Sequence, residues 1–181
     1  MKIGFCGTMS VGKTTLVNAL KELSEFKDYH FRTERSKHLM NLGIPLNTDS
    51  TLKGQLVFAS ERAAELMQEK IITDRTIIDV MAFCELSKSM SDAEKQHING
   101  VLWHLISEYD IIFHIDDLSV PIEDNGVRET DKDYRLAIHK KISSILGMHR
   151  LMPGKVVKIS GTTEERIAQV LYSTGIRSYM D

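Results

Sequence analysis

The sequence predicts an α/β protein, a five-stranded parallel sheet covered by helices on both faces. Three observations predict it. Short β-rich runs alternate with helical patterns along the chain, which argues for parallel strands joined by crossover helices. A glycine-containing loop joins the first run to the first helical pattern. The 181 residues are 42% apolar and 27% charged, an ordinary globular balance on a chain long enough to bury a core.

The elements follow in order. Residues 2-KIGFC-6 read as a buried strand, and 13–26 carries Leu16, Ala19, Leu20 and Leu23 at helical spacing. A second strand fits 29–34, and a helical segment 35–42 is broken by Gly43 and Pro45. Residues 51–70 read as a long helix with Leu56, Ala59, Ala63 and Leu66 on one face. A strand at 71–74, helical patterns across 77–107 and a strand at 109–115 come next. After a polar loop, 131–146 is helical, with Tyr134, Ile138, Ile142 and Ile145 aligned. The last strand is 155–160, and Thr162 with Glu165 has capping-box spacing for a final helix from about 163. No repeat or linker divides the chain, so one domain over 1–181 is expected, with a small lid at about 119–135.

Composition excludes several classes. A net charge of -2 gives no global pull toward nucleic acid. No apolar run approaches a membrane span, and the start of the chain does not read as a signal peptide, so a cytoplasmic protein without membrane partners is expected. Cys6 and Cys84 lie in apolar stretches and read as buried hydrophobes. The seven histidines show no zinc-site spacing. Oligomeric state is not written in the sequence.

The loop Gly7-Thr8-Met9-Ser10-Val11-Gly12-Lys13-Thr14, followed by Thr15, meets every position of the G-x-x-x-x-G-K-[ST] pattern between a strand and a helix. Polyphosphate needs backbone N–H groups converging at a helix N-terminus, and glycines let the backbone close around it. Lys13 supplies a charge for the β- and γ-phosphates, and the Thr14 hydroxyl is placed for Mg²⁺. The expected fold is therefore the three-layer P-loop NTPase architecture, binding ATP or GTP with Mg²⁺. Neither D-x-x-G nor N-K-x-D occurs, which argues against a GTP switch. Asp116-Asp117 at a strand end keeps a motor-type ATPase in view.

The third strand ends in Asp74, followed by Arg75 and Thr76. A carboxylate there can hold Mg²⁺ or accept a proton from a hydroxyl, and the guanidinium can grip a phosphate. Glu34 ends the second strand beside Arg35; strand carboxyl ends form the ligand crevice of such sheets, so either carboxylate could be the base. Gln55, Phe58 or Ala59, and Arg62 share one helix face and could form an acceptor-recognition strip, or a mixed solvent face. The loop 121–135 offers Gly126, Arg128, Lys132 and Arg135 as a cationic lid.

These motifs resemble the P-loop nucleoside and nucleotide kinases, and in particular the ribosylnicotinamide-kinase-like AAA-type ATPases of NAD or RNA metabolism. The resemblance rests on 7-GTMSVGKT-14, Glu34-Arg35, Gln55, 74-DRT-76 with Ala82-Phe83, 124–135 and 160-SGTTEER-166. It implies that Glu34 and Asp74 work with Mg²⁺ and the acceptor hydroxyl. It also implies that Arg128 and Arg135 clamp phosphates and that Gly161 and Thr162 lie by the adenine. The expected activity is transfer of the ATP γ-phosphate to a hydroxyl of a nucleoside, nucleotide or related small molecule. Two alternatives stand beside it: a kinase acting on a hydroxymethylated base or 5′ end of nucleic acid, and an ATP-dependent regulator that transfers no phosphate.

Overall fold

The computed structural model describes residues 1–33, 35–121, 131–148 and 155–176. Its strands are β1 (Lys2–Cys6), β2 (His30–Arg32), β3 (Ile71–Asp74), β4 (Ile111–Ile115) and β5 (Val156–Ile159). They form one parallel sheet in the order β2-β3-β1-β4-β5. The helices are α1 (Lys13–Lys21), α2 (Ser36–Asn41), α3 (Leu52–Glu65), α4 (Ile77–Leu86), α5 (Asp92–Leu105), α6 (Lys132–Met148) and α7 (Thr163–Thr174). β1 lies centrally, and its neighbours β3 and β4 lead to opposite halves of the sheet. That arrangement opens a crevice at the strand carboxyl ends.

Strand alternation divides the core into two layers. Ile3 and Phe5 of β1 and Ile111, Phe113 and Ile115 of β4 pack with Leu16, Val17 and Leu20 of α1 and Val170 of α7. Cys6 and Ile112 point the other way, into a cluster with α4 and with Ile138, Ile142 and Ile145 of α6. The three-layer expectation therefore holds. α4 is buried on every side from Ile77 to Cys84. Full burial of each large aliphatic side chain contributes about 1.5–3 kcal/mol, which outweighs the small helix-propensity penalty of its β-branched residues.

Several boundaries differ from the sequence reading. α1 stops at Lys21 rather than 26, because Leu23 N–H returns to the Leu20 carbonyl and a 3-10 turn over Ser24–Phe26 drops Phe26 into the core. α3 stops at Glu65 rather than 70, since Leu66 must turn inward before β3 begins. The stretch 77–107 is two helices, hidden by the all-round apolarity of α4. Tyr109 lies before β4 and its hydroxyl accepts the Ile77 N–H at 3.2 Å, capping α4. The inward face of α3 is also corrected: Gln55, Ala59 and Arg62 are buried while Leu56 is exposed.

The capping box read at Thr162 and Glu165 is present at the start of α7. Cys6 and Cys84 are free and buried, as expected. No helix among the described residues is long and apolar enough to cross a membrane.

Candidate active site

The site grows out of the C-terminal end of β1. Gly7 leaves the sheet so close to β4 that a Cβ would stand 2.9 Å from the Ile115 carbonyl oxygen. Gly12 takes φ 86°, which a side chain would strain, and its added Cβ would meet the Arg166 guanidinium at 2.9 Å. The loop thus wraps onto the N-terminus of α1, where backbone N–H groups and the helix dipole favour anions.

Lys13 folds back into this loop. Its ammonium donates to the Gly7 and Thr8 carbonyls at 2.6 and 2.8 Å. Burial pulls its pKa down, and the carboxylates Asp79 and Asp74 push the other way. Thr14 Oγ1 donates to Asp74 Oδ2 at 2.5 Å. Asp74 is fully buried, and among the described residues its Oδ1 has no hydrogen-bond partner. A hydroxyl oxygen beside a carboxylate with a free buried oxygen fits Mg²⁺, a hard ion that takes one or two protein oxygens and keeps waters. The register explains the meeting: Phe5 pairs with Asp74 across β1 and β3.

Arg75 follows with φ 89°, a conformation that costs a non-glycine residue about 1–3 kcal/mol. Its backbone N–H bonds the Phe5 carbonyl, and its guanidinium lies 5.0 Å over the Phe83 ring. Arg135 reaches the same loop from α6. Its guanidinium donates to the Ser10 carbonyl at 3.3 Å, and its own carbonyl accepts the Thr8 hydroxyl at 3.0 Å. Met9 and Val11 are buried, Ser10 takes φ 56°, and Thr15 is exposed on α1. Gly161 and Thr162 are exposed at the turn into α7, where Gly161 has φ 95°.

Other candidates lie apart from the loop. On α3, Gln55 and Arg62 are buried rather than forming a solvent face, and Arg62 bonds Glu65 at 2.7 Å. Arg35 pairs with Glu61 of the same helix at 3.1 Å, on its exposed side. Glu34, Gly126 and Arg128 lie outside the described residues, as does most of the expected lid.

Two residues that sequence reasoning missed hold the loop from behind. Asp79 accepts the Gly7 N–H at 3.2 Å with one oxygen, and the Thr76 N–H and hydroxyl at 2.7 and 3.0 Å with the other. Arg166 donates to the Val11 carbonyl at 2.7 Å and to Asp117 at 2.9 Å. The spacing Thr76–Asp79 could have signalled a helix cap; nothing local could have signalled Arg166.

A family model described as an AAA domain matches residues 2–166. The chain belongs to this AAA-domain family. Among solved structures, this AAA-domain chain is similar to a NadR protein in complex with NR, at TM-score 0.74 and 18% identity. That match covers 99% of the chain and 53% of NadR. A NadR complex with NAD and AMP-PNP gives TM-score 0.72 and 16% identity, over 99% of this chain and 51% of that one. The chain therefore spans about half the length of these NadR chains. A deoxyadenosine kinase from M. mycoides with bound dCTP gives TM-score 0.66 and 15% identity, over 97% and 99% of the two chains. A search of the curated proteins found no match. At these identities the structural likeness establishes the fold alone, a three-layer α/β P-loop architecture.

Proposed function

We propose that this AAA-domain protein is an ATP- and Mg²⁺-dependent phosphotransferase. Its acceptor is a hydroxyl of a nucleoside, nucleotide or related small molecule. The observation that carries the reading is Asp74, buried beside Lys13, held by the Thr14 hydroxyl and left with one free oxygen. The fold likeness supports it, since the similar structures include a deoxyadenosine kinase and a NadR protein with AMP-PNP.

In this reading the loop amides and Lys13 hold the donor's β- and γ-phosphates, with the Lys13 ammonium leaving its carbonyl partners for them. Thr14 and Asp74 hold Mg²⁺, which when bound neutralises charge on the phosphate oxygens. The acceptor oxygen attacks the γ-phosphorus in line, the bond to the β–γ bridging oxygen breaks, and ADP leaves. The hydroxyl proton passes to a carboxylate, Asp74 or Glu34. Arg135 and Arg128 balance the transferring charge, Arg75 and Arg35 with Gln55 and Arg62 face the acceptor side, and Gly161 and Thr162 border the adenine. One domain of residues 1–181, with a lid at about 119–135, carries all of these parts.

The test is an acceptor screen with purified protein, γ-labelled ATP and Mg²⁺. Nucleosides, deoxynucleosides, nucleotides, ribosylnicotinamide, hydroxymethylated DNA and DNA 5′ ends would be offered in turn. Label on a small acceptor is expected. Label on DNA alone would identify a nucleic-acid kinase, and hydrolysis unaffected by any acceptor would identify a regulator.

A further inference from the structure

Away from Thr14 and Asp74, on the opposite side of β1, a second group of ligating side chains comes together. His114 lies near the end of β4, Asp116 just beyond it, and His139 on α6. Their ligating atoms all lie within 4.8 Å of one another. His139 Nε2 stands 3.2 Å from Asp116 Oδ1, and the two imidazole rings are nearly parallel, 29° apart, with centroids 6.0 Å apart.

The decisive member is His114. It is completely buried, and among the described residues neither ring nitrogen has a hydrogen-bond partner. Strand alternation accounts for its direction but not for its chemistry: it points to the same side as Ile112, toward α6, where a leucine or isoleucine would pack without polar cost. A buried polar group without a partner costs about 1–3 kcal/mol, so an imidazole here needs a ligand to justify it. Among the described residues His139 Nδ1 is unpartnered as well.

We propose that His114, Asp116 and His139 form a binding site for one divalent transition-metal ion of the Zn²⁺ or Co²⁺ kind. Two imidazoles and a carboxylate suit such ions and leave a coordination position open. In a tetrahedral site with ligand bonds of about 2.0–2.2 Å, ligand atoms sit about 3.3–3.6 Å apart; His139 Nε2 and Asp116 Oδ1 are already 3.2 Å apart, so modest side-chain rotation completes the set. The partly exposed ends of Asp116 and His139 permit that rotation. Lys158 does not block it. Its ammonium bonds the other Asp116 oxygen, Oδ2, at 2.6 Å, leaving Oδ1 for the ion and serving as an outer support.

The position gives the site a consequence. His139 sits one helical turn after Arg135, whose guanidinium and carbonyl both touch the phosphate loop. An ion joining β4 to α6 would fasten the helix that carries Arg135 against the sheet. The proposal stands on the side chains named and does not depend on phosphotransfer.

The test uses untagged, chelator-stripped protein in saturating Mg²⁺, which occupies the Thr14–Asp74 position. Titration with Co²⁺ should produce the visible absorption band of a four-coordinate ion at one equivalent, and Zn²⁺ should displace it. Zn²⁺ at a hundredfold excess over Kd should raise the thermal midpoint by about 5–10 °C. His139→Ala and Asp116→Asn should each weaken Co²⁺ binding at least tenfold and remove about half or more of the Zn²⁺ shift. Both positions are partly exposed, so these variants should fold even if His114→Gln does not. No band at stoichiometric Co²⁺, or the same affinity in His139→Ala, would overturn the site whether or not the protein proves to be a kinase.

Discussion

Single residues in the loop separate holding a phosphate from holding the fold. The Lys13 ammonium bonds the Gly7 and Thr8 carbonyls of the loop, so Lys13→Ala should abolish phosphotransfer yet leave circular dichroism and cooperative unfolding intact. Near-normal turnover in that variant would refute the site. Asp74→Asn and Glu34→Gln divide the two candidate bases. If Glu34 takes the proton, Glu34→Gln should lose turnover by about 10²–10⁴-fold with little change in ATP binding, as expected for a general base, whereas Asp74→Asn should also weaken Mg²⁺-dependent ATP binding through its bond to Thr14. Arg75 offers a stability test at the same scale. Its φ of 89° penalises any side chain, so Arg75→Gly should be about 1 kcal/mol more stable to denaturant than Arg75→Ala. Equal stability would show that the surroundings have relaxed the strain.

At the scale of elements, the helix caps divide into those that serve the site and those that serve only a helix. The Thr76–Asp79 box starts α4 and also holds Gly7, through a buried carboxylate. Asp79→Ala should therefore cost about 2–4 kcal/mol and weaken nucleotide binding together. The Ser91–Glu94 box of α5 is exposed, and its hydrogen bonds run between its own two residues. Ser91→Ala should cost about 1 kcal/mol in denaturant melts and leave turnover unchanged. A matching loss of nucleotide affinity in both variants would refute this division. Arg166 repeats the theme on α7: the first turn of that helix anchors the phosphate loop through the Val11 carbonyl.

For the whole molecule, burial sets the alkaline limit of stability. It pushes the Cys84 thiol up to about 12, and raises Cys6 and Tyr109 as well. These groups stay neutral when folded but ionise freely when unfolded. Their contribution is complete below the unfolded thiol value of about 8.5 and is lost as pH rises toward 12. The thermal midpoint should fall steadily above about pH 9. At pH 8 both thiols should resist alkylation until denaturant is added, because the thiolate is the reactive form. Rapid alkylation of the native protein would contradict the core placement of both residues.

What was legible in the sequence was local. The glycine loop between β1 and α1 could be read because its glycines, lysine and hydroxyl stand at fixed spacing. The strand–helix alternation could be read because burial imposes periods of two and 3.6. Asp74 was legible as a strand-tip carboxylate, while its bond to Thr14 waited on the pairing of β1 with β3. Only the tertiary structure decided the rest. The inward face of α3, buried with Gln55 and Arg62, depends on neighbours that its own apolar pattern does not encode. Arg166 meets Val11 across 155 residues, and His114 meets His139 only because β4 and α6 pack together. Parallel sheets join distant segments through crossovers, so their polar contacts have no sequence spacing to read.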